Sequence, residues 1–426
     1  MSYFSSETWD FSPPPPSALN DHSVKALSQK LDGRSIALMI CGGIAAMKAP
    51  LLARSLRKAG AKVTAFVSKE ALRYVAIDAL AWSCDREVIV DLSARAEHLG
   101  DGQNFDAYLL APATYNTINK AAQGIADSLI TTTLASAIGR CEKGETQILV
   151  VPTMHGSMHN SILTDSLKRL NQSQVHIVKP RMDYGKHNIP SEEYLVNEVA
   201  RVISTSPLKG KGILLTGGPT PVHIDGVRRL SNKFTGRLAL KVLEELHIRG
   251  AEVRLLLGAG SYAPPAELAH LVEWVNSYED YYKRCLDYAK DPQCWAGIFT
   301  AAVADYKPKE TIKGKIESGR NLLNLELEPT VKVIDAVKTQ CPYLRMVTFK
   351  YQEALSHEDL MAIAQKRLKR FEAVIANRGE EKSVLGEQVA WLCTHQQSPQ
   401  RLTSKVGIAV GLSDYLETLT FNEHTL

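Results

Sequence analysis

One local pattern is written twice in this chain: a short apolar run, a glycine turn, then an amphipathic helix. In the first copy Ile36 to Ile40 runs into Cys41-Gly42-Gly43-Ile44-Ala45-Ala46. Ala45, Ala49, Leu52, Leu56 and Ala59 then recur at spacings of three and four, which predicts one face of a helix stopped by Gly60. Val63–Val67, Ala107–Ala111 and Ile148–Val151 are further apolar runs of strand length. After the polar break Thr205-Ser206-Pro207-Leu208-Lys209-Gly210 the pattern restarts. Ile213–Leu215 leads into Thr216-Gly217-Gly218-Pro219-Thr220, and a helix around Leu238, Val242 and Leu246 ends by Gly250. Strands are expected at Val253–Leu257, Gly297–Thr300, Met346–Phe349 and Ala373–Ala376. Strand–helix–strand alternation predicts a mostly parallel sheet covered by helices. Single cores rarely grow past ~250–300 residues, so a chain of 426 residues with two such restarts predicts two α/β domains, 34–205 and 206–426. Residues 1–33, with the tetraproline Pro13–Pro16, read as an extended leader to which no function is assigned.

Composition narrows the function. Hydrophobic residues at 45% and charged residues at 23% describe an ordinary globular protein and exclude disorder, collagen and coiled coil for most of the chain. Fifty basic against 46 acidic side chains leave a net charge of +4, too balanced for a nucleic-acid-binding or polybasic membrane protein. No apolar run reaches the ~18 residues of a membrane helix, and Met1–Pro16 lacks the basic start and apolar core of a signal peptide. Seven cysteines, an odd number with no CxxC, point to free thiols in a reducing cytoplasm and suggest no zinc site.

A glycine turn between strand and helix lets backbone N–H groups approach an anion, and ligands of open α/β sheets sit at the carboxyl ends of the strands. Gly42-Gly43-Ile44 and the later stretch Ala111-Pro112-Ala113-Thr114-Tyr115-Asn116-Thr117 both follow expected strands and so share one edge. The first lacks the full GxGxxG spacing, and taken alone it is as readily a packing turn.

GGIAAMK and PATYNTINKAAQGIADSLITTTLA together resemble the flavin-binding cysteine decarboxylases. The resemblance implies a Rossmann-like domain that binds FMN. It places Gly43 and Ile44 at the phosphate turn, Ser68 as the hydroxyl after the second strand, and Asn116 and Thr117 on the flavin. His98, in Ala96-Glu97-His98-Leu99, falls where that family keeps its active-site histidine, the usual proton handler near neutral pH. Met154 and His155 fall in its substrate-binding segment.

The second half resembles phosphopantothenoylcysteine synthetase through TGGPT, Ile224-Asp225-Gly226-Val227-Arg228, Ser231-Asn232-Lys233-Phe234-Thr235-Gly236, Ala304-Asp305-Tyr306, Lys315-Ile316, Phe349-Lys350 and Ala376-Asn377. The two families occur fused in this order in a bifunctional enzyme of coenzyme A biosynthesis, and the resemblance covers roughly residues 35–425. It implies ligation of 4′-phosphopantothenate to cysteine through an acyl-nucleotide, followed by FMN-dependent decarboxylation. Asn232 and Lys315 would be catalytic, Arg228 would bind substrate, and Asp305 and Phe349 the nucleotide. Mg²⁺ with CTP or ATP is implied, without direct side-chain ligands to the metal. So are trimeric flavin domains and dimeric ligase domains.

Two departures leave alternatives open. The family's PxMNxxMW motif reads here Pro152-Thr153-Met154-His155-Gly156-Ser157-Met158-His159, so His155 replaces the asparagine expected on the substrate carboxylate. The family's flap cysteine, which helps reduce an ene-thiol intermediate, has no counterpart, since no cysteine lies between Cys141 and Cys285. A divergent bifunctional enzyme, a paralogue ligating a related acid and amine with altered flavin chemistry, and a ligase carrying a non-catalytic FMN-binding or oligomerisation domain all fit.

Overall fold

The computed structural model describes residues 11–99, 104–319 and 322–421; of the expected leader, residues 1–10 lie outside that description. The chain divides between Val199 and Ala200 into two compact units.

The first unit holds β1 (Ser35–Ile40), α1 (Ala49–Lys58), β2 (Lys62–Val67), α2 (Ile77–Cys84), β3 (Ala107–Ala113), α3 (Tyr115–Ala122), α4 (Leu129–Cys141), β4 (Gln147–Pro152), β5 (Met154–His155), α5 (Ser161–Gln172), β6 (His176–Ile177), β7 (Arg181–Asp183), β8 (Lys186–Asn188) and the start of α6 (Glu192–Val202). Its five-stranded sheet has the order β2-β1-β3-β4-β6 and is parallel throughout. Parallel strands are covered on both faces, which is why β1 and β3 are apolar in succession rather than alternating. The helix expected from Ala45 is broken in two. A single 3-10 turn over Ile44–Lys48 precedes α1, because Pro50 has no N–H to give and fits only the first turn of a helix. Part of the leader packs here: Leu31 is fully buried, Leu27 N–H donates to Lys58 O and Leu31 N–H to Ala59 O, both at 2.9 Å. Burying that leucine contributes about 2 kcal/mol. A second, antiparallel sheet, β5-β8-β7, stands apart. Its β7–β8 hairpin closes through Tyr184 and Gly185, both at positive φ, the pattern of a two-residue type I′ turn.

The second unit holds β9 (Gly212–Gly217), β10 (Val222–His223), β11 (Arg229–Leu230), α7 (Arg237–Ile248), β12 (Glu252–Gly258), β13 (Val272–Val275), α8 (Tyr278–Ala289), β14 (Cys294–Phe299), β15 (Tyr306–Pro308), β16 (Leu327–Pro329), α9 (Val333–Gln340), β17 (Arg345–Gln352), α10 (His357–Leu368), β18 (Ala373–Arg378), β19 (Val389–Thr394), β20 (Gln400–Thr403) and α11 (Ser404–Phe421). Its eight-stranded sheet has the order β13-β12-β9-β14-β17-β18-β19-β20, parallel except for β19 and β20 at one edge. Two ribbons, β10–β11 and β15–β16, stand outside the sheet. Both units are therefore the helix-covered, Rossmann-like α/β sheets that the sequence predicts.

Candidate functional site

In the first unit the chain passes from β1 to β2 on one side and then crosses to β3 on the other, so the strand order reverses between β1 and β3. That is the crevice where an open α/β sheet takes its ligand. Gly43 and Ile44 leave β1 there, and Thr114, Asn116 and Thr117 leave β3. The two glycines of the turn differ. A Cβ on Gly42 would collide with the Cβ of Glu70, so Gly42 is a packing glycine. A Cβ on Gly43 would meet only Thr114 Cγ2, at 3.5 Å. Gly43 thus faces space that its own fold leaves open. Neither Gly43 nor Thr114 caps the helical turn it begins, whereas Ser128 and Asn160 cap α4 and α5 with their side chains. Uncapped first-turn N–H groups are donors without partners. Thr114 Oγ1 lies 3.2 Å from Thr117 Oγ1, which also accepts from the buried Cys41 thiol at 3.2 Å. Ser68, at the end of β2, accepts from Ala71 N–H at 3.3 Å and keeps its own proton to donate. Backbone donors, a hydroxyl and an unfilled glycine position suit the phosphate end of a flavin nucleotide.

Met154 and His155 sit at the end of β4, in the small antiparallel sheet, and pair with His187 and Lys186 of the hairpin. His155 Nδ1 is 2.8 Å from Ser157 Oγ and accepts from Ser157 N–H at 3.2 Å, so this histidine caps its own turn. Gly156 N–H donates to Gly185 O at 3.0 Å, and a Cβ on Gly156 would strike that carbonyl. The His155 segment and the cysteine-free hairpin are therefore one piece. His159 Nδ1 lies 3.2 Å from His187 Nε2, and burial, then the neighbouring His159, hold His187 below the usual histidine pKa. His98 lies in a separate helical turn over Glu97–Leu99 that packs on α4. Its Nδ1 is buried without a hydrogen-bond partner, and no hydrogen bond ties it to the β1–β3 crevice among the described residues.

In the second unit the order reverses between β9 and β14. Here the two loops are laced together. Thr300 Oγ1 donates to Thr216 O at 2.7 Å, Ala302 N–H to Gly218 O at 2.9 Å and Ala304 N–H to Thr220 Oγ1 at 2.8 Å. Asn232 Nδ2 donates to Ala302 O at 2.9 Å, which fixes the predicted asparagine over this seam. Gly218 has φ +72°, a region that favours glycine, and a side chain on Gly258 would run into the Pro219 carbonyl.

Arg228 and Lys315 come together through Asp225. This buried carboxylate accepts from Val227 N–H at 2.8 Å, Arg228 N–H at 2.6 Å, Ile316 N–H at 3.0 Å and the Arg228 guanidinium. These donors, the Ile316 N–H foremost, hold its pKa far below the ordinary carboxylate range. Gly226 N–H donates to Gly314 O at 2.7 Å and Ile312 N–H to Ile224 O at 3.1 Å, so loops 224–228 and 312–316 are zipped. Arg228 also donates to Ile316 O at 3.3 Å. Lys315 itself is exposed and has no ion pair among the described residues. Asp305 is paired with Lys332, and the Phe349 carbonyl accepts from Arg367 at 3.0 Å. Lys233 pairs with Glu353 at 3.0 Å and Phe234 meets Tyr351 edge-on at 5.2 Å, bringing the Asn232 loop to the end of β17.

Residues 24–204 match the Flavoprotein family, and residues 208–419 match the family described as the DNA/pantothenate metabolism flavoprotein C-terminal domain. Over 367 residues, 84% of this chain and 89% of the relative, it is 34% identical to the coenzyme A biosynthesis bifunctional protein CoaBC of Thermococcus kodakarensis. The chain belongs to the bifunctional coenzyme A biosynthesis family. A relative of the same name from Methanocaldococcus jannaschii is 28% identical over 353 residues, covering 82% of this chain and 85% of the relative. The solved DNA/pantothenate metabolism flavoprotein of Streptococcus pneumoniae, 25% identical, covers 49% of this chain and 99% of its own with a TM-score of 0.44. Membership in the family makes this an enzyme with a flavoprotein half and a ligase half. Asp225 was visible as part of a family motif, and its bonds to Val227 and Arg228 are local, but the Ile316 N–H that ties loop 312–316 to it comes from 91 residues away, so its role in joining the two loops had no local signal. Lys332 and Glu353 carried none beyond charge.

Proposed function

We propose that this enzyme joins 4′-phosphopantothenate to cysteine at the expense of CTP or ATP and then decarboxylates the product with FMN. The carrying observation is the Asp225-centred zip that sets the Arg228 and Lys315 cations on neighbouring loops beside the Asn232 seam. A carboxylate is a poor electrophile because oxide is a prohibitive leaving group. A triphosphate converts it to an acyl-nucleotide with loss of pyrophosphate, and the cysteine amine then displaces the nucleoside monophosphate. Both steps develop charge on phosphoryl oxygens, where placed cations and donors act. Lys315, exposed and without an ion pair among the described residues, is the cation for those oxygens, and Arg228 holds the acid. Asn232, its Nδ2 spent on Ala302 O, keeps Oδ1 to accept a hydrogen bond from the activated substrate or its amine. Asp305 and Phe349 line the nucleotide side. Mg²⁺ would travel on the triphosphate, bridging its phosphate oxygens.

In the flavoprotein half, Gly43, Ile44 and Ser68 would hold the FMN phosphate, and Asn116 and Thr117 the flavin. Bound there, FMN supplies a hydride acceptor for the thiol-bearing carbon. His98, with a ring nitrogen that has no hydrogen-bond partner among the described residues, is assigned to proton handling, and Met154 and His155 to the substrate. No helix among the described residues is long and apolar enough to cross a membrane, and we place the enzyme in the cytoplasm as a homo-oligomer with trimeric flavin domains and dimeric ligase domains. Ile44 and Met47 on the 3-10 turn and Leu51 on α1, exposed by 59–69%, support a partner-covered surface on the flavin half.

Product analysis by mass spectrometry with phosphopantothenate, cysteine and each nucleotide tests this. The decarboxylated amide is expected; no amide with either nucleotide would overturn the reading. A second reading, ligation without completed decarboxylation, is favoured by one observation: His155 spends its Nδ1 on its own turn, beside a hairpin without a thiol. The carboxylated amide as sole product would establish it.

A further inference from the structure

Beyond β14, whose pairing with β17 ends at Phe299↔Thr348, strand β17 runs on unpaired on that side for four more residues. Thr348, Lys350 and Gln352 alternate onto one face of this extension. Two of them carry side-chain polar groups without a hydrogen-bond partner among the described residues. Thr348 is 1% exposed and its Oγ1 has no hydrogen-bond partner. Lys350 is half-buried, yet its side-chain ammonium makes no hydrogen bond or ion pair with any described residue. Its surroundings are cationic: Arg367, tied to the neighbouring Phe349 carbonyl, and Lys332 act on it electrostatically, and the opposing carboxylate, Asp305, is already paired with Lys332. Burial first, and then Arg367, draw the Lys350 pKa below its ordinary value. A desolvated ammonium without a counter-ion is costly to keep. Gathering a second and third cation around it makes sense when a multiply charged anion is the missing partner.

We propose that Lys350 is an additional phosphate-binding residue of the ligase half, receiving the phosphate chain of the nucleoside triphosphate at the carboxyl edge of β14 and β17. The proposal rests on the ligase reading above and adds a residue that reading does not use. Phosphate on this protein could equally come from the phosphorylated acid, and the two sources separate experimentally. Lys350→Gln removes the charge at nearly constant length, and Lys350→Arg keeps it. Dissociation constants for CTP, ATP and inorganic tripolyphosphate are measured by calorimetry on the full chain without acid substrate, and Michaelis constants for nucleotide and acid are measured in the coupled assay.

Charge-assisted hydrogen bonds lost on substitution predict that Lys350→Gln weakens CTP or ATP and tripolyphosphate by about tenfold to a hundredfold. The Michaelis constant of the acid should stay within about twofold, and Lys350→Arg should recover most of the affinity. Unchanged triphosphate affinity in a Lys350→Gln protein that melts like the wild type overturns the assignment, as does a shift confined to the acid. If Lys350→Gln does not fold, Lys350→Met takes its place: a folded methionine variant that loses triphosphate affinity supports the assignment, and one that binds at wild-type affinity overturns it. Wild-type protein that binds none of the three triphosphates ends the ligase reading and this proposal with it, whereas wild-type binding that Lys350→Gln leaves unchanged ends this proposal alone.

Discussion

The two strand-order reversals of this chain are built to opposite specifications. The one between β1 and β3 is left open: Gly43 faces only a threonine methyl, and the helical turns that begin there are uncapped. The one between β9 and β14 is sewn shut by backbone and side-chain hydrogen bonds, with Asn232 fastened over the seam and the charged loops zipped through Asp225. An open crevice suits a cofactor that stays bound and brings its own chemistry. A laced one suits a reaction whose several substrates must meet at cations held at fixed separations, because misplacement of reacting groups is expensive.

That contrast is broken most severely at Asp225. Asp225→Ala removes the acceptor of three backbone N–H groups and a guanidinium, freeing loop 312–316 and with it Lys315. We expect amide formation to fall by at least about a hundredfold while the protein stays yellow. Ligation near the wild-type rate would show that the zip does not position the site. The same carboxylate predicts an acid profile. Its pKa is depressed on folding, so its contribution is complete above the unfolded carboxylate range near pH 4 and is lost only as pH falls through the lower folded value. Hydrogen exchange at Ile316 should therefore stay slow at pH 4, and fast exchange there would contradict it.

Asn232→Ala comes next, with amide formation down by about a hundredfold and flavin content unchanged, as befits a group that acts in the reaction rather than in folding. Product appearing at the wild-type rate refutes its role.

The open reversal gives a paired test of medium size. Gly43→Ala should fold and melt normally but bind FMN about tenfold more weakly, because its methyl enters only free space. Gly42→Ala should lower the melting temperature by several degrees, since Glu70 must move. Equal behaviour of the two variants would mean that the crevice is not where the flavin phosphate sits.

The smallest effect is at the hairpin. His187 has a depressed pKa in the fold, so its contribution is full above about pH 6.5 and fades as pH falls through the folded value, when protonation also sets it against His159. Amides of residues 181–188 should exchange a few-fold faster at pH 5 than at pH 7 after correction for intrinsic rates. His187→Phe should flatten that dependence, and an unchanged ratio would exclude the pair as its source.

Much of this was legible from residue order because parallel strands are buried on both faces. Ile36–Ile40, Val63–Val67 and Ile213–Leu215 therefore stand out as almost wholly apolar runs between glycine punctuation. What escaped was short or antiparallel. Val222–His223, Met154–His155 and Arg181–Asp183 are too brief to show any period, and β19 and β20 follow no helix that would announce them. At the sites, glycine turns were readable because a turn after a strand favours glycine, and Asn232 because its Ser231–Gly236 segment resembles a known family motif. The Asp305–Lys332 pair and the isolation of Lys350 were not, because an ion pair is decided by where distant strand ends meet.

The crowding at Gly258 bears on how any survey of variants should be interpreted. Its α-hydrogen occupies the only room left beside the Pro219 carbonyl, so every substitution there has to pry β12 away from the turn after β9. Such changes would silence ligation without touching a ligand. A screen that scores lost growth would rank this position with Asn232 and Lys315. Only a companion assay of folding would separate the hinge pin from the tool it holds.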